Sequence, residues 1–149
     1  AGVRGLGPAR RAVLRALEQG KPALGICLGM QLLFDGSDEG PGRGLGFIPG
    51  RVATLPHKLL PQVGWNEVHT SDDPLFEGVA PEFHGYYVNT FAPVPKARSG
   101  IIARTTYGKP FVAGVRRLNT WGLQFHPEKS SRAGLRIVQN FVGLAEACA

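Results

Sequence analysis

The sequence predicts a single α/β domain over residues 1–149, with an open, mostly parallel sheet, flanking helices and an antiparallel region in its second half. Three observations support this prediction. A helix, a short apolar strand and a second helix follow one another near the start, six strand candidates succeed them, and an amphipathic helix ends the chain. With 149 residues, of which 43% are hydrophobic, the chain is long enough to bury one sizeable core.

The first half of the chain alternates between helix and strand. Residues 8–19 have an apolar stripe at helical spacing and end at Gly20, which predicts a helix. The wholly apolar Ala23–Ile26 predicts a short buried strand in the centre of the sheet, and residues 28–34 predict a short helix. Residues 35–50 are rich in glycine and predict a long irregular loop.

The second half is predicted to be rich in strands and to end in a helix. The strand candidates are residues 51–55, 62–69, 85–91, 101–106, 111–118 and 121–125. The last two are expected to form a hairpin across Asn119 and Thr120. The final helix follows Ser130 and Ser131, either of which can cap it, and its apolar residues recur at helical spacing.

Composition and charge exclude several kinds of protein. No apolar run approaches the roughly 20 residues of a membrane span and no segment has the pattern of a signal peptide, so a soluble protein is predicted. Two cysteines, Cys27 and Cys148, are too few for a disulfide framework, which favours a reducing cytoplasm. The 17 basic and 11 acidic residues give a net charge of +6, but the basic residues are scattered and no nucleic-acid-binding module is visible.

Residues 25–29 read Gly-Ile-Cys-Leu-Gly between the apolar strand and a helix, which is the pattern of a nucleophile elbow. The glycines two positions on either side of Cys27 permit a tight, strained turn that presents the thiol. The N-terminus of a helix favours a thiolate, and the backbone N–H of Leu28 is placed to stabilise an oxyanion. The alternative is a buried core cysteine on a glycine-rich turn, which this motif alone does not exclude.

A second motif supplies the base that a cysteine nucleophile needs. His126 precedes Pro127, which favours extended backbone at the histidine, and Glu128 follows two residues after it. In an extended segment these two side chains point the same way, so the carboxylate can orient the imidazole. By themselves these residues are typical of a loop turn. Together with Cys27 they predict a Cys-His-Glu triad.

The two motifs, Gly-Ile-Cys-Leu-Gly-Met-Gln and then Gln-Phe-His-Pro-Glu, resemble those of the class I glutamine amidotransferases, whose fold is flavodoxin-like. The resemblance covers nearly the whole chain. It implies hydrolysis of L-glutamine to glutamate and ammonia through a thioester on Cys27, without a cofactor. It also implies oxyanion-stabilising N–H groups at Leu28 and Val3. The substrate-binding residues that it implies are Gly29, Gln31, Asn89, Thr90 and Phe91.

Within that family the chain most resembles the glutaminase subunits of imidazole glycerol phosphate synthase, which act in histidine biosynthesis. The resemblance is carried by segments 44–50, 61–66, 86–91 and 126–130. It implies a heterodimer in which a cyclase subunit receives the ammonia and makes imidazole glycerol phosphate and aminoimidazole carboxamide ribotide. The residues implied to face the cyclase are Gly64, Trp65, Asn66 and Lys129. The alternatives are a core position for Trp65 and a solvated surface for Lys129.

The chain departs from the family pattern in three places. The family continues upstream of the point that matches Ala1, so a missing segment is expected, and the chain alone is expected to be unstable or aggregated without it. Arg4 stands where the family has a glycine, and Asn89 with Thr90 replaces the usual His-Ser. Two alternatives stay open: another triad amidotransferase, serving purine, pyridoxal phosphate or anthranilate synthesis, and a truncated inactive binding module.

Three further histidines carry no comparable pattern. His57, His69 and His84 are interpreted as isolated from any cysteine or carboxylate at metal-ligand spacing. No metal site is therefore expected.

Overall fold

The computed structural model describes residues 7–148 of the chain. Its helices are α1 (Ala9–Glu18), α2 (Leu28–Gln31) and α3 (Ser131–Ala147). Its strands are β1 (Ala23–Ile26), β2 (Gly36–Ser37), β3 (Gly40–Arg43), β4 (Gly50–Thr54), β5 (Gln62–Thr70), β6 (Glu82–Asn89), β7 (Phe91–Pro95), β8 (Ile101–Tyr107), β9 (Lys109–Arg117) and β10 (Thr120–Leu123). Single turns of 3-10 helix lie at Pro74–Phe76 and Pro127–Lys129. In this part of the chain no helix has the length and apolar character to cross a membrane.

The strands form two sheets. The larger sheet has the strand order β1-β10-β9-β8-β5-β6, and the smaller one has the order β3-β2-β4-β7. β1 pairs with β10 in parallel, and so does β2 with β4, whereas β9 is antiparallel to both of its neighbours. The predicted α/β class is confirmed. The antiparallel region takes up most of the larger sheet, and the parallel pair lies at one side of it.

β1 coincides with the predicted strand. Among the described strands it pairs with β10 alone and lies at an edge of the larger sheet, and all four of its residues are half-buried. The register places Gly25 beside Gly122 and Ile26 beside Leu123, so the residues after both strands meet at one end of the sheet.

Two segments are organised differently from the prediction. The predicted strand 85–91 is two strands, because the chain leaves the larger sheet after Asn89 and β7 pairs with β4 in the smaller sheet. The predicted loop 35–50 contains the short strands β2 and β3. The carboxylate of Asp35 accepts a hydrogen bond from the N–H of Gly50 at 2.9 Å, which closes this segment.

The last helix begins without a serine cap. α3 starts at Ser131, and the side chain of Ser130 makes no hydrogen bond to the N-terminus of the helix. Instead its hydroxyl donates to the carbonyl of His126 at 2.6 Å and accepts from the N–H of Tyr86 at 2.9 Å. The predicted Ser130 cap is therefore wrong, because this hydroxyl ties the segment after β10 to β6.

The apolar core consists of two clusters. One includes Tyr87, Trp121, Phe125 and Ile137 and packs α3 against the larger sheet. The other surrounds Met30 and joins α1 and α2 to both sheets. α2 therefore begins at the half-buried end of β1 and continues into the second cluster, which fixes the direction of the turn between them.

Candidate active site

Cys27 occupies the sharp turn between β1 and α2. Its φ of 54° and ψ of −107° lie in a region that residues with a side chain rarely adopt. Its N–H donates to the carbonyl of Leu123 at 2.7 Å, which continues the pairing of β1 with β10. A Cβ on Gly25 would lie 2.7 Å from the carbonyl of Gly29, so only glycine permits this close approach. The predicted tight turn is present.

The thiol of Cys27 is half-buried and hydrogen-bonded. Its Sγ accepts from Nε2 of Gln124 at 3.6 Å and donates to the carbonyl of Val88 at 3.8 Å. Burial raises the pKa of the Cys27 thiol, the N–H of Leu28 lowers it, the charge of Glu128 raises it and Gln124 lowers it. The net pKa lies above the ordinary value, so burial outweighs the expected preference for thiolate at a helix N-terminus. The nucleophile consequently needs a base.

His126 and Glu128 form the contact that the sequence predicts. Nδ1 of His126 lies 2.6 Å from Oε1 of Glu128. The backbone of His126 is extended, with φ of −96° and ψ of 98°, as expected before Pro127. Its N–H donates to the carbonyl of Tyr86 at 2.9 Å, and its carbonyl accepts from Ser130. Because the carboxylate engages Nδ1, Nε2 is the ring nitrogen available for proton exchange.

The parallel pairing of β1 with β10 brings the two motifs together. Cys27 follows β1 directly, and Gln124, which contacts the sulfur, follows β10 directly and precedes His126 by two residues. Glu128 is close enough for its charge to raise the pKa of the Cys27 thiol. All four residues lie beyond the carboxyl ends of adjacent parallel strands, which is where α/β proteins commonly bind their ligands.

Gln31, Asn89 and Phe91, which the family resemblance assigns to substrate binding, are connected to one another by hydrogen bonds. Nε2 of Gln31 donates to Oε1 of Gln124 at 3.1 Å and to the carbonyl of Phe91 at 3.4 Å. Nδ2 of Asn89 donates to the same carbonyl at 3.2 Å. The side-chain amides of Gln31 and Asn89 are thus engaged with other groups of the chain.

The other predicted ligand-binding positions differ in what surrounds them. A Cβ added at Gly29 would meet no atom within 4 Å, so there is open space beside this glycine. Thr90 is half-buried, and its carbonyl accepts from the N–H of Leu55 at 2.9 Å. Val3, the second predicted oxyanion donor, and Arg4 lie outside the described residues.

An exposed apolar patch occupies part of one side of the β5–β6 pair. Trp65 is 55% exposed, and its ring meets that of Tyr86 edge-to-face with centroids 5.7 Å apart. Val63 and Val88, which are paired across the same two strands, are also exposed. Lys129 lies at its border, with Nζ 6.0 Å from the centroid of the Tyr86 ring. The alternative of a core position for Trp65 is therefore excluded. We call Val63, Trp65, Tyr86 and Val88 the outer face.

The remaining predicted partner residues do not present side chains on the outer face. Gly64 has a φ of 123°, which favours glycine. Nδ2 of Asn66 donates to Oε1 of Gln62 at 2.7 Å and to the carbonyl of Thr106 at 2.9 Å. Since side chains alternate along a strand, Asn66 points away from the face that carries Trp65.

The interpretation of His69 as isolated from carboxylates is wrong. Its Nε2 lies 2.8 Å from Glu67 and its Nδ1 lies 3.4 Å from Glu82. The two-residue spacing on β5 puts Glu67 beside His69, and the register of β5 with β6 puts Glu82 opposite it. One nitrogen of His69 and one carboxylate oxygen each of Glu67 and Glu82 all lie within 4.8 Å of one another. About half of each of the His69 and Glu67 side chains is exposed, so this is a solvated group on the sheet surface.

A cavity of 560 Å³ is lined by residues of the segment 70–81, including Asp73, and by no triad residue. The Asp73 carboxylate accepts from the indole N–H of Trp121 at 2.9 Å and from the N–H of Leu75 at 2.9 Å. It also pairs with Arg116 at 3.2 Å. Because Asp73 is buried and its oxygens are occupied, we assign it a structural role and place the chemistry at Cys27.

Two residues of the site were not predicted from the sequence. Gln124 contacts the sulfur and is fully buried, and Ser130 anchors the backbone of His126. The signal for Gln124 was a polar residue within an otherwise apolar segment, because a buried amide requires hydrogen-bond partners. No comparable signal marked Ser130, whose position before a helix favours a cap.

The sequence of the chain is similar to those of known proteins. The family model "Glutamine amidotransferase class-I" matches residues 2–144. Imidazole glycerol phosphate synthase subunit HisH of Symbiobacterium thermophilum is 49% identical over 134 residues, which cover 88% of this chain and 63% of that protein. HisH of Pyrococcus furiosus is 42% identical over 139 residues, covering 91% and 72%. The chain thus spans less than two thirds of the length of the Symbiobacterium relative.

The fold is also similar to that of a solved structure. A crystal structure of a glutamine amidotransferase aligns with a TM-score of 0.66 at 24% sequence identity, covering 92% of this chain and 68% of the other. At 24% sequence identity this similarity shows a shared fold and nothing about function.

Proposed function

This chain belongs to the class-I glutamine amidotransferase family, and we propose that it hydrolyses L-glutamine to glutamate and ammonia with Cys27 as the nucleophile. One observation carries the proposal. A strained Cys27 and a His126–Glu128 pair separated by 2.6 Å follow two adjacent parallel strands at the same end of the sheet. A thiol whose pKa is raised by burial is matched there with a base whose orientation is fixed.

The first half of the proposed reaction forms a thioester. His126 takes the thiol proton through Nε2, and the Cys27 sulfur attacks the side-chain carboxamide carbon of glutamine. The Leu28 N–H stabilises the oxygen that becomes negatively charged. His126 then gives its proton to the amide nitrogen as the carbon–nitrogen bond breaks. Ammonia leaves, and a γ-glutamyl thioester stays on the sulfur.

The second half releases glutamate. His126 takes a proton from water, whose oxygen attacks the thioester carbon. As the carbon–sulfur bond breaks, the proton passes to the sulfur and restores the Cys27 thiol. In both halves the Glu128 carboxylate holds Nδ1 of His126 and stabilises the imidazolium that forms. These steps need no cofactor.

We further propose that the chain acts as a glutaminase subunit of imidazole glycerol phosphate synthase. Identities of 49% and 42% to two HisH subunits favour this assignment over the other triad amidotransferases. The ammonia is then delivered to a cyclase subunit in a heterodimer. The outer face suits such a partner, because it combines an exposed aromatic ring with aliphatic neighbours and a basic rim residue, Lys129.

Labelling by an electrophilic glutamine analogue tests the nucleophile. The chain is mixed with the cyclase subunit, treated with the analogue, and mapped by peptide mass spectrometry. We expect one adduct, on Cys27, which excess glutamine prevents. The exposed Cys148 is the internal control, since it has the same chemistry without the site. An adduct on Cys148, or one on Cys27 that glutamine does not prevent, contradicts the proposal.

A further inference from the structure

Gln124 places a hydrogen-bond donor directly on the sulfur of Cys27. It is fully buried, and both ends of its amide are used. Nε2 donates to Sγ at 3.6 Å, and Oε1 accepts from Gln31 at 3.1 Å. We propose that Gln124 is a further catalytic residue, which holds the sulfur in place and stabilises its thiolate form, and that Gln31 positions it. The inference rests on the proposed role of Cys27.

The contact with Gln31 determines which end of the Gln124 amide meets the sulfur. An unrestrained amide can turn by half a rotation and exchange its oxygen for its nitrogen. If the Gln124 oxygen faced Cys27, it would repel a thiolate. Because Gln31 donates to that oxygen, the NH₂ group stays directed at the sulfur. A hydrogen bond from it to a charged sulfur is stronger than one to the neutral thiol, so it favours the thiolate.

Gln31 is itself held by a row of buried and half-buried side-chain amides. It shares the carbonyl of Phe91 with Asn89, whose Oδ1 accepts from Nε2 of Gln62 at 2.9 Å. Gln62 in turn accepts from Asn66 at 2.7 Å. Hydrogen bonds in such a row polarise one another and are difficult to rearrange one at a time.

The row ends near the outer face. Asn66 follows Trp65 on β5, so the amides connect the strand that carries the exposed ring with the sulfur of Cys27. This arrangement accounts for the burial of the side-chain amides of Gln62, Asn89 and Gln124, since each forms hydrogen bonds along the row or to the sulfur.

The test measures the titration of the Cys27 thiol without relying on turnover. Cys148→Ala is introduced throughout, which leaves Cys27 as the thiol to be alkylated. The rate of alkylation by iodoacetamide is then followed against pH in the complex with the cyclase subunit. Gln124→Leu removes the donor at similar volume, and Gln124→Glu replaces it with a carboxylate. Gln139→Leu, on the exposed side of α3, is the matched control.

We expect Gln124→Leu to raise the apparent pKa of Cys27 by about half a unit to one unit, and Gln124→Glu to raise it further. At neutral pH alkylation should slow by about threefold, since a more basic thiolate is also a better nucleophile. Gln139→Leu should titrate like the parent. Gln31→Met, which keeps the length of the side chain but frees the Gln124 amide, should shift the pKa in the same direction by less.

Gln31→Met also keeps the proposal testable if Gln124→Leu fails to fold, which thermal unfolding reveals. Parent-like titration in the folded variants, or a lowered pKa, overturns the inference and leaves Gln124 with a packing role. The outcome is separable from that of the proposed function. If the glutamine analogue does not label Cys27 in the parent, the proposed function fails whatever the titration shows.

Discussion

Two pairs in the described part of the molecule join a histidine to a glutamate two residues away, Glu67 with His69 on β5 and His126 with Glu128 at the start of a 3-10 turn. Their contacts are of similar length, 2.8 Å and 2.6 Å. The His69 side chain is 50% exposed on the sheet surface, whereas that of His126 is 20% exposed. The two contacts are thus similar in length, although His69 uses Nε2 and His126 uses Nδ1, and the two pairs differ most in their environment.

The environment of the second pair is what makes it a candidate for catalysis. His126 is fixed at its N–H and its carbonyl, and the charge of its Glu128 partner reaches the thiol of Cys27. Glu67 and His69 have solvent around them and a further carboxylate, Glu82, on the other ring nitrogen. A histidine–glutamate contact therefore indicates a site only where a nucleophile lies beside it.

The largest expected effect comes from removing that nucleophile. Cys27→Ala should abolish glutamine hydrolysis, a loss on the order of a thousandfold or more, because no thioester can form. Cys148→Ala should leave the rate unchanged. Glutamate production in the presence of the cyclase subunit is the measurement, and circular dichroism checks that both variants are folded. Substantial hydrolysis by Cys27→Ala would show that Cys27 is not the nucleophile. Its position beside His126 would then no longer distinguish the two histidine–glutamate pairs.

The two glutamates provide the direct comparison. Glu128→Gln keeps the shape of the side chain but weakens stabilisation of the His126 imidazolium. We therefore expect kcat/KM to fall roughly ten- to thousandfold. Glu67→Gln makes the same chemical change on the surface pair and should leave kcat/KM unchanged. Equal effects of the two substitutions, in either direction, would mean that proximity to Cys27 does not decide the role of the pair.

A smaller effect is expected on the outer face, which lies on the same side of β5 as Glu67. Trp65→Ala should weaken binding of the cyclase subunit by about 2 kcal/mol, roughly 30-fold, if the ring anchors the interface. The unfolding temperature should change little, since Trp65 is 55% exposed. Trp121→Ala, in the core, is the contrasting control and should cost about 3–5 kcal/mol of stability. Unchanged affinity with Trp65→Ala would reject the outer face as the docking site.

Much of the candidate site could be predicted because its motifs are local. The turn at Cys27 follows from the glycines around it, and the extended backbone of His126 follows from Pro127. The sequence predicts the contact of His126 with Glu128 on extended backbone, whereas Glu128 lies in a 3-10 turn from which its carboxylate still reaches Nδ1. The division of residues 85–91 between two sheets could not be predicted, because a local apolar pattern does not report where the chain leaves one sheet for another.

By itself the sequence determined the α/β class, the tight turn at Cys27 and the pairing of His126 with Glu128. Each of these depends on residues that are close together in the chain. Only the tertiary structure decided that Gln124 meets the sulfur, that Ser130 holds His126 instead of capping a helix, and that His69 lies between two glutamates. It also decided that the pKa of Cys27 is raised. The reason is physical: burial and hydrogen-bond partners depend on which strands pair and in what register, and residues far apart in the chain set both.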